Sequence, residues 1–132
     1  MQFDNSAPIW VQLVSEFARR IVVGDWASGA RLPGVRELAA ELGVNPNTAQ
    51  RALAELERQG LCRSERTAGR FVTDDPARID QARAELVGDA ADAFVRRARG
   101  LKMGQNQAQE LIQKRWNRYD DHDRLETETG GA

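Results

Sequence analysis

The segment ELAAELGVNPNTAQRALAELERQG, residues 37–60, decides how the chain folds. Leu38, Ala39 and Leu42, with Val35 just ahead of them, recur at helical spacing and make one apolar face. Gly43 ends that helix. Asn45 is a good N-cap, and Pro46 falls at the first helical position, where its missing N–H costs nothing. The next helix carries Ala49, Ala52, Leu53 and Leu56 on its inner face and stops at Gly60. Two short helices at a tight corner are either a DNA-reading pair or a plain helical hairpin. The outer face of the second begins with Asn47, Thr48, Gln50 and Arg51. Asn and Gln can bond adenine edges, Thr can touch a base or a thymine methyl, and Arg can grip guanine or phosphate. The same residue types are also ordinary capping chemistry at a helix start.

Outward from this corner the pattern continues. On the N-terminal side, Pro8 opens an amphipathic helix in which Ile9, Leu13, Phe17 and Ile21 recur every four residues, with Val14 alongside. Gly24 stops it, and GDWASGARLPG reads as loop. On the C-terminal side, Leu61–Arg63 and Arg70–Thr73 flank a polar tip containing Gly69, which predicts a β-hairpin. Asp75-Pro76 begins a long helical stretch to about Arg99, with Ile79, Leu86, Ala90, Ala93 and Phe94. RGLKMGQ is a break, after which Ala108, Leu111, Ile112 and Trp116 mark a last amphipathic helix. From Asn117 apolar content nearly vanishes, and disorder is expected. The fold class is therefore mainly α with a small β-hairpin: a winged helix-turn-helix over residues 1–75, two C-terminal helices over 76–118, and a disordered tail over 119–132.

Composition narrows the function. The chain has 132 residues, one cysteine (Cys62) and one histidine (His122), so it holds no intramolecular disulfide and no Cys/His zinc set. His122 sits in the polar stretch YDDHDRLETETGGA, which is too wet for a triad. Asp74 and Asp75 lie at a helix start, where acids suit the dipole, and Asp120, Asp121 and Asp123 read as a solvated charge run. No enzyme, metal or cofactor is expected. No apolar run could span a membrane and no signal peptide is visible, so a cytoplasmic protein is expected. The net charge is −1, yet residues 1–73 hold nine Arg and no Lys, a bias that suits bidentate contacts to guanine and phosphate.

Across Pro8–Val72 the chain also resembles the DNA-binding domain of GntR-type bacterial transcription regulators. The resemblance rests on PIWVQL, VGDWASGARLPG, PGVRELA, GVNPNT, RALAELERQGL and the closing GRFV. It departs from the family pattern at Gly34, where serine is common, at Pro46, where a basic residue is common, and at Thr67, where glycine is common. The resemblance implies that Arg36 contacts DNA, that Thr48 belongs to the recognition helix, and that Gly69 lets the wing backbone approach the minor groove. Arg66, Thr67 and Arg70 would flank it. With Asn45, Asn47, Gln50 and Arg51 from the corner, these are the expected DNA-binding residues.

The short helical C-terminal half is similar to that of the YtrA-like subfamily, which implies a homodimer. Two helices cannot build an independent core. Ile79, Leu86, Phe94, Leu101, Leu111, Ile112 and Trp116 are the expected dimer interface, with a fold-back onto a monomeric winged domain as the alternative. A groove lined by Phe94, Leu101, Met103, Leu111 and Trp116 would also have room for a small-molecule effector, although interface core is the plainer reading. Cys62 is expected to be buried rather than redox-sensing. The expected partners are double-stranded DNA and a second copy of the chain. The expected function is sequence-specific transcription regulation, repression before activation, on a pseudo-palindromic operator. The competing reading is a helical adaptor that uses the winged domain as a protein-binding scaffold.

Overall fold

A computed structural model describes residues 1–130 and forms two compact units, residues 1–88 and the helical segment from Asp89 onward. The element order is α1 (Ile9–Val22), α2 (Val35–Leu42), α3 (Pro46–Arg58), β1 (Cys62–Glu65), β2 (Gly69–Val72), α4 (Pro76–Gly100) and α5 (Gln105–Gly130). The winged helix-turn-helix followed by two long helices is the architecture the sequence pattern predicts.

The first unit is built around α3. Its stripe of Ala49, Ala52, Leu53 and Leu56 is buried against α1 and α2. Phe17 and Leu13 from α1 and Leu38 from α2 are fully buried in the same cluster, which Leu61, Cys62 and Val72 extend beneath the hairpin. Each such large apolar side chain contributes about 1.5–3 kcal/mol by leaving water. The corner between α2 and α3 follows from two residues. Gly43 takes a left-handed φ of 67°, which a side chain would resist, and the Asn45 side chain accepts from the Asn47 N–H at 2.8 Å.

The hairpin is antiparallel, with Cys62 opposite Val72, Ser64 opposite Arg70 and Glu65 opposite Gly69. It is not alone. The loop after α1, read from sequence as irregular, lays Arg31 beside Phe71 as an isolated antiparallel bridge. The Leu32 N–H donates to the Arg70 carbonyl and the Val72 N–H to the Ala30 carbonyl, each at 2.8 Å. The sheet therefore gains a third, one-residue edge that ties the wing to the segment leading into α2.

The start of α4 belongs to the first unit, which runs to Gly88. Ala82 is buried and Ile79 packs against the winged core. Arg78 Nε donates to the Gln59 carbonyl at 2.7 Å, fastening α4 to the end of α3. Ile79, expected at a dimer interface, is thus engaged within its own chain. Leu86 also lies in the first unit, on a shallow groove shared with Trp10, Val11 and Val14.

In the second unit, α4 and α5 are joined by a turn in which the Met103 N–H donates to the Ala98 carbonyl at 2.9 Å. The expected disorder after residue 118 is corrected: α5 continues to Gly130. Residues 117–128 contain no proline or glycine, and local pairs support the helix. His122 and Glu126 lie 3.0 Å apart at i,i+4, and Arg124 and Asp121 lie 2.5 Å apart at i,i+3. Scarcity of apolar residues forbids a core there but does not forbid an exposed helix. Residues 131–132 of the expected tail lie outside the described residues. Among the described residues no helix is long and apolar enough to cross a membrane.

Candidate nucleic-acid interface

The arginines of the first 73 residues divide into two sets. Arg19, Arg20, Arg58 and Arg63 are paired with acids. Arg20 Nε meets Glu16 at 2.9 Å and its terminal nitrogen meets Glu41 of α2 at 3.2 Å, while its guanidinium lies over Trp26. Arg19 also binds Glu16 at 2.9 Å, Arg58 pairs with Glu55, and Arg63 lies 3.7 Å from Glu65. These pairs brace helices and strand. The Arg19 hydrogen bond, aided by Arg20, holds the Glu16 carboxyl down at about 2 against a partial burial that pushes the other way.

Arg31, Arg36, Arg51, Arg66 and Arg70 form no ion pair among the described residues. Four of them gather at one end of the unit. Arg36 is exposed in the first turn of α2. Arg31, Arg66 and Arg70 line a concave groove of about 790 Å³ between the α2 N-terminus and the wing, together with Thr67, Gly69, Glu37 and Glu65. Arg70 Nε is buried there without a hydrogen-bond partner. Like charges left unpaired in one groove repel, and a polyanion entering it would relieve that repulsion.

The exposed end of α3 supplies the second feature. Asn47 and Gln50 are exposed and Thr48 is half-buried at the flank. Their side chains present donors and acceptors at the positive end of a helix dipole. Asn45 has a different part, since its side-chain oxygen caps the helix. Arg51, exposed on the same helix, has an aromatic partner. Its guanidinium stacks on the Trp10 ring, 4.1 Å from the centroid, and so braces α3 against α1. Alternation of helical faces locates Arg51 on the outside of α3 but does not reveal an aromatic ring from another helix beside it.

Gly69 takes a φ of 102°, a conformation that L side chains rarely adopt. A Cβ there would also sit 3.1 Å from Arg31 Nε. Arg31 is the residue the sequence reading missed. It stood in a segment read as loop, and only the long-range bridge to Phe71 brings it to the wing.

In the second unit, Phe94, Leu111, Ile112 and Trp116 come together with Arg115 and Tyr119 around one concave surface of about 560 Å³. Phe94 and Met103 share another of about 420 Å³. Leu101 lines neither and is 72% exposed. Cys62 is buried, and desolvation, with the nearby Glu57 charge, pushes its thiol up to about 11. It stays protonated at neutral pH, which leaves it unsuited to redox sensing.

The fold and the groove are those of a winged helix-turn-helix protein, and comparison with known proteins places it. Residues 11–72 match the gntR family of bacterial regulatory proteins. The chain is 32% identical over 111 residues to YhcF of Bacillus subtilis (strain 168), an HTH-type transcriptional regulator, covering 84% of this chain and 92% of that one. It is 35% identical over 71 residues to the HTH-type transcriptional repressor YtrA of the same organism, covering 54% and 55% of the two chains. Among solved structures, a GntR family transcriptional regulator from Listeria monocytogenes superposes with a TM-score of 0.73 at 35% identity, covering 85% of this chain and 98% of that one. The AraR DNA-binding domain, solved in complex with operator ORR3, gives 0.50 at 27% identity over 55% and 88%. The chain belongs to the GntR family of bacterial regulatory proteins.

Proposed function

We propose that this chain is a sequence-specific DNA-binding transcriptional repressor that acts as a homodimer on a pseudo-palindromic operator. The observation that carries the reading is the gathering of arginines without ion pairs between the α2 N-terminus and the wing, while Arg19, Arg20, Arg58 and Arg63 are paired with acids. In this reading the N-terminal half of α3 enters the major groove. Asn47, Thr48 and Gln50 face base edges there, and Asn45 holds the helix start that presents them. Arg36 reaches the adjoining backbone or a guanine. The wing, with Arg66, Thr67, Gly69 and Arg70, approaches the neighbouring minor groove. Arg51 supports the helix through Trp10 rather than reading a base.

The helical unit supports the homodimer. Of its residues, Ala98 alone is buried among those described, while Ile112, Trp116 and Tyr119 are exposed. A second copy would cover these side chains, with Phe94 and Leu111 beneath them, and Leu101 would join the interface from the turn. A two-fold pair of recognition helices one DNA turn apart calls for an operator of matching symmetry. A dimer lying on a promoter excludes polymerase without any further surface, which favours repression. Similarity to YtrA, a transcriptional repressor, points the same way.

The test is fluorescence anisotropy with a labelled duplex from the DNA upstream of the chain's own coding sequence, against random duplex, at two salt concentrations. Binding tighter than random by about a thousandfold is expected for a specific regulator. Equal binding to both, together with failure to enrich any genomic fragment in a pull-down, would refute the proposal.

A further inference from the structure

Arg31 has no part in the contacts proposed above, and its placement is unusual for a loop residue. Its backbone is fixed on both sides, by the Leu32 N–H on the Arg70 carbonyl and by the Val72 N–H on the Ala30 carbonyl. Its guanidinium lies across the α-carbon of Gly69, in the space a Cβ would need: Nε is 3.1 Å and a terminal nitrogen 3.5 Å from that position. The side chain is exposed and has no ion-pair partner among the described residues. Two acids line the same groove, and one of them, Glu65, faces Arg63 at 3.7 Å. Arg66 and Arg70 lie in that groove as well. Three guanidiniums therefore share one concavity in which acids do not neutralise them.

We infer that Arg31 is a DNA-phosphate contact, gripping the backbone that borders the groove the wing enters. The assignment rests on the DNA-binding reading above. The planar fork of an arginine suits a phosphate's paired oxygens. Phosphate fits better than a base edge because Arg31 stands on the strand flanking the wing, not in the tip at residues 66–68, and its pinned backbone shortens its reach. The fixed backbone also pre-organises the contact, so little loop ordering is lost on binding. Gly69 then has two tasks in this chain: turning the wing, and leaving room for the guanidinium beside it.

The test uses the full chain and several labelled duplexes of unrelated sequence, titrated across roughly 50 to 200 mM salt. The variants are Arg31→Ala and Arg31→Lys, with thermal melts to show that each stays folded. Arg31→Ala is expected to weaken every duplex by the same factor. It should also flatten the slope of log affinity against log salt by about 0.9, so that the loss of affinity over that salt range becomes about threefold smaller. Arg31→Lys should retain most of the slope, since it keeps the charge. An unchanged slope in Arg31→Ala, with the wild type binding normally, would overturn the assignment alone. So would a loss confined to one sequence, which would make Arg31 a base reader. A wild type that binds no duplex at either salt would remove the DNA-binding reading and the assignment together.

Discussion

The two units solve the problem of apolar surface in opposite ways. The winged unit encloses its large side chains: Phe17, Leu13, Leu38 and Leu56 are fully buried. The helical unit leaves its large side chains in water, with Trp116 at 68% and Tyr119 at 69% exposure. A region with its own core is fixed by its own sequence and can present side chains at set positions. A region that lacks one is completed from outside. In the proposed function, the first unit reads DNA and the other recruits a second copy.

The largest expected effect breaks the first half of that contrast. Phe17→Ala should cost about 3–5 kcal/mol, read in a urea melt, because its ring fills the centre of a closed core. Trp116→Ala should leave the melt of the winged unit in place. Comparable losses from both would mean that the second unit also carries a core of its own.

Next comes the interface. Ile112→Glu or Trp116→Glu should convert a dimer to a monomer in light scattering. Operator affinity should then fall by about a hundredfold or more, as the second winged domain no longer binds intramolecularly. Retention of both dimer and affinity would place the interface elsewhere. Within the reading face, Thr48→Ala should cost about 1–3 kcal/mol on the operator and little on random duplex.

Two smaller effects sharpen what stability means in the winged unit. Glu16 joins Arg19 and Arg20, and its folded pKa of about 2 lies below the ordinary 4.5. A depressed carboxylate stabilises the fold above its unfolded pKa and loses that contribution as pH falls through the folded one. Glu16→Gln should therefore cost about 1 kcal/mol at neutral pH, allowing for solvent screening, and remove the stability change between about pH 4.5 and pH 2. Arg51→Ala should cost about 0.5–1 kcal/mol of stability and alter Trp10 fluorescence, without changing base preference. A shift in base preference would return Arg51 to the reading face.

Much of this was legible in the sequence because it is local. The stripe of Ala49, Ala52, Leu53 and Leu56, the Gly43 stop and the Asn45-Pro46 start each act within a few residues, and the structure has each of them in place. What escaped depends on distant partners. Arg31 reaches the wing through a bridge to a residue forty positions on, and Arg51 finds Trp10 on another helix. Ile79 had the right helical spacing for an interface, but periodicity does not say which surface a stripe meets. The helix beyond Asn117 escaped for another reason: low apolar content signals the lack of a core, and local side-chain pairs can sustain a helix without one.

In the proposed function one unit reads DNA while the other supplies its second copy. The most direct test is light scattering of the full chain, alone and saturating a duplex that the chain itself has recovered from genomic fragments. A mass of two chains is expected in the free protein, and two chains on each duplex. A single chain in both states, or a dimer that recovers no DNA, would contradict it.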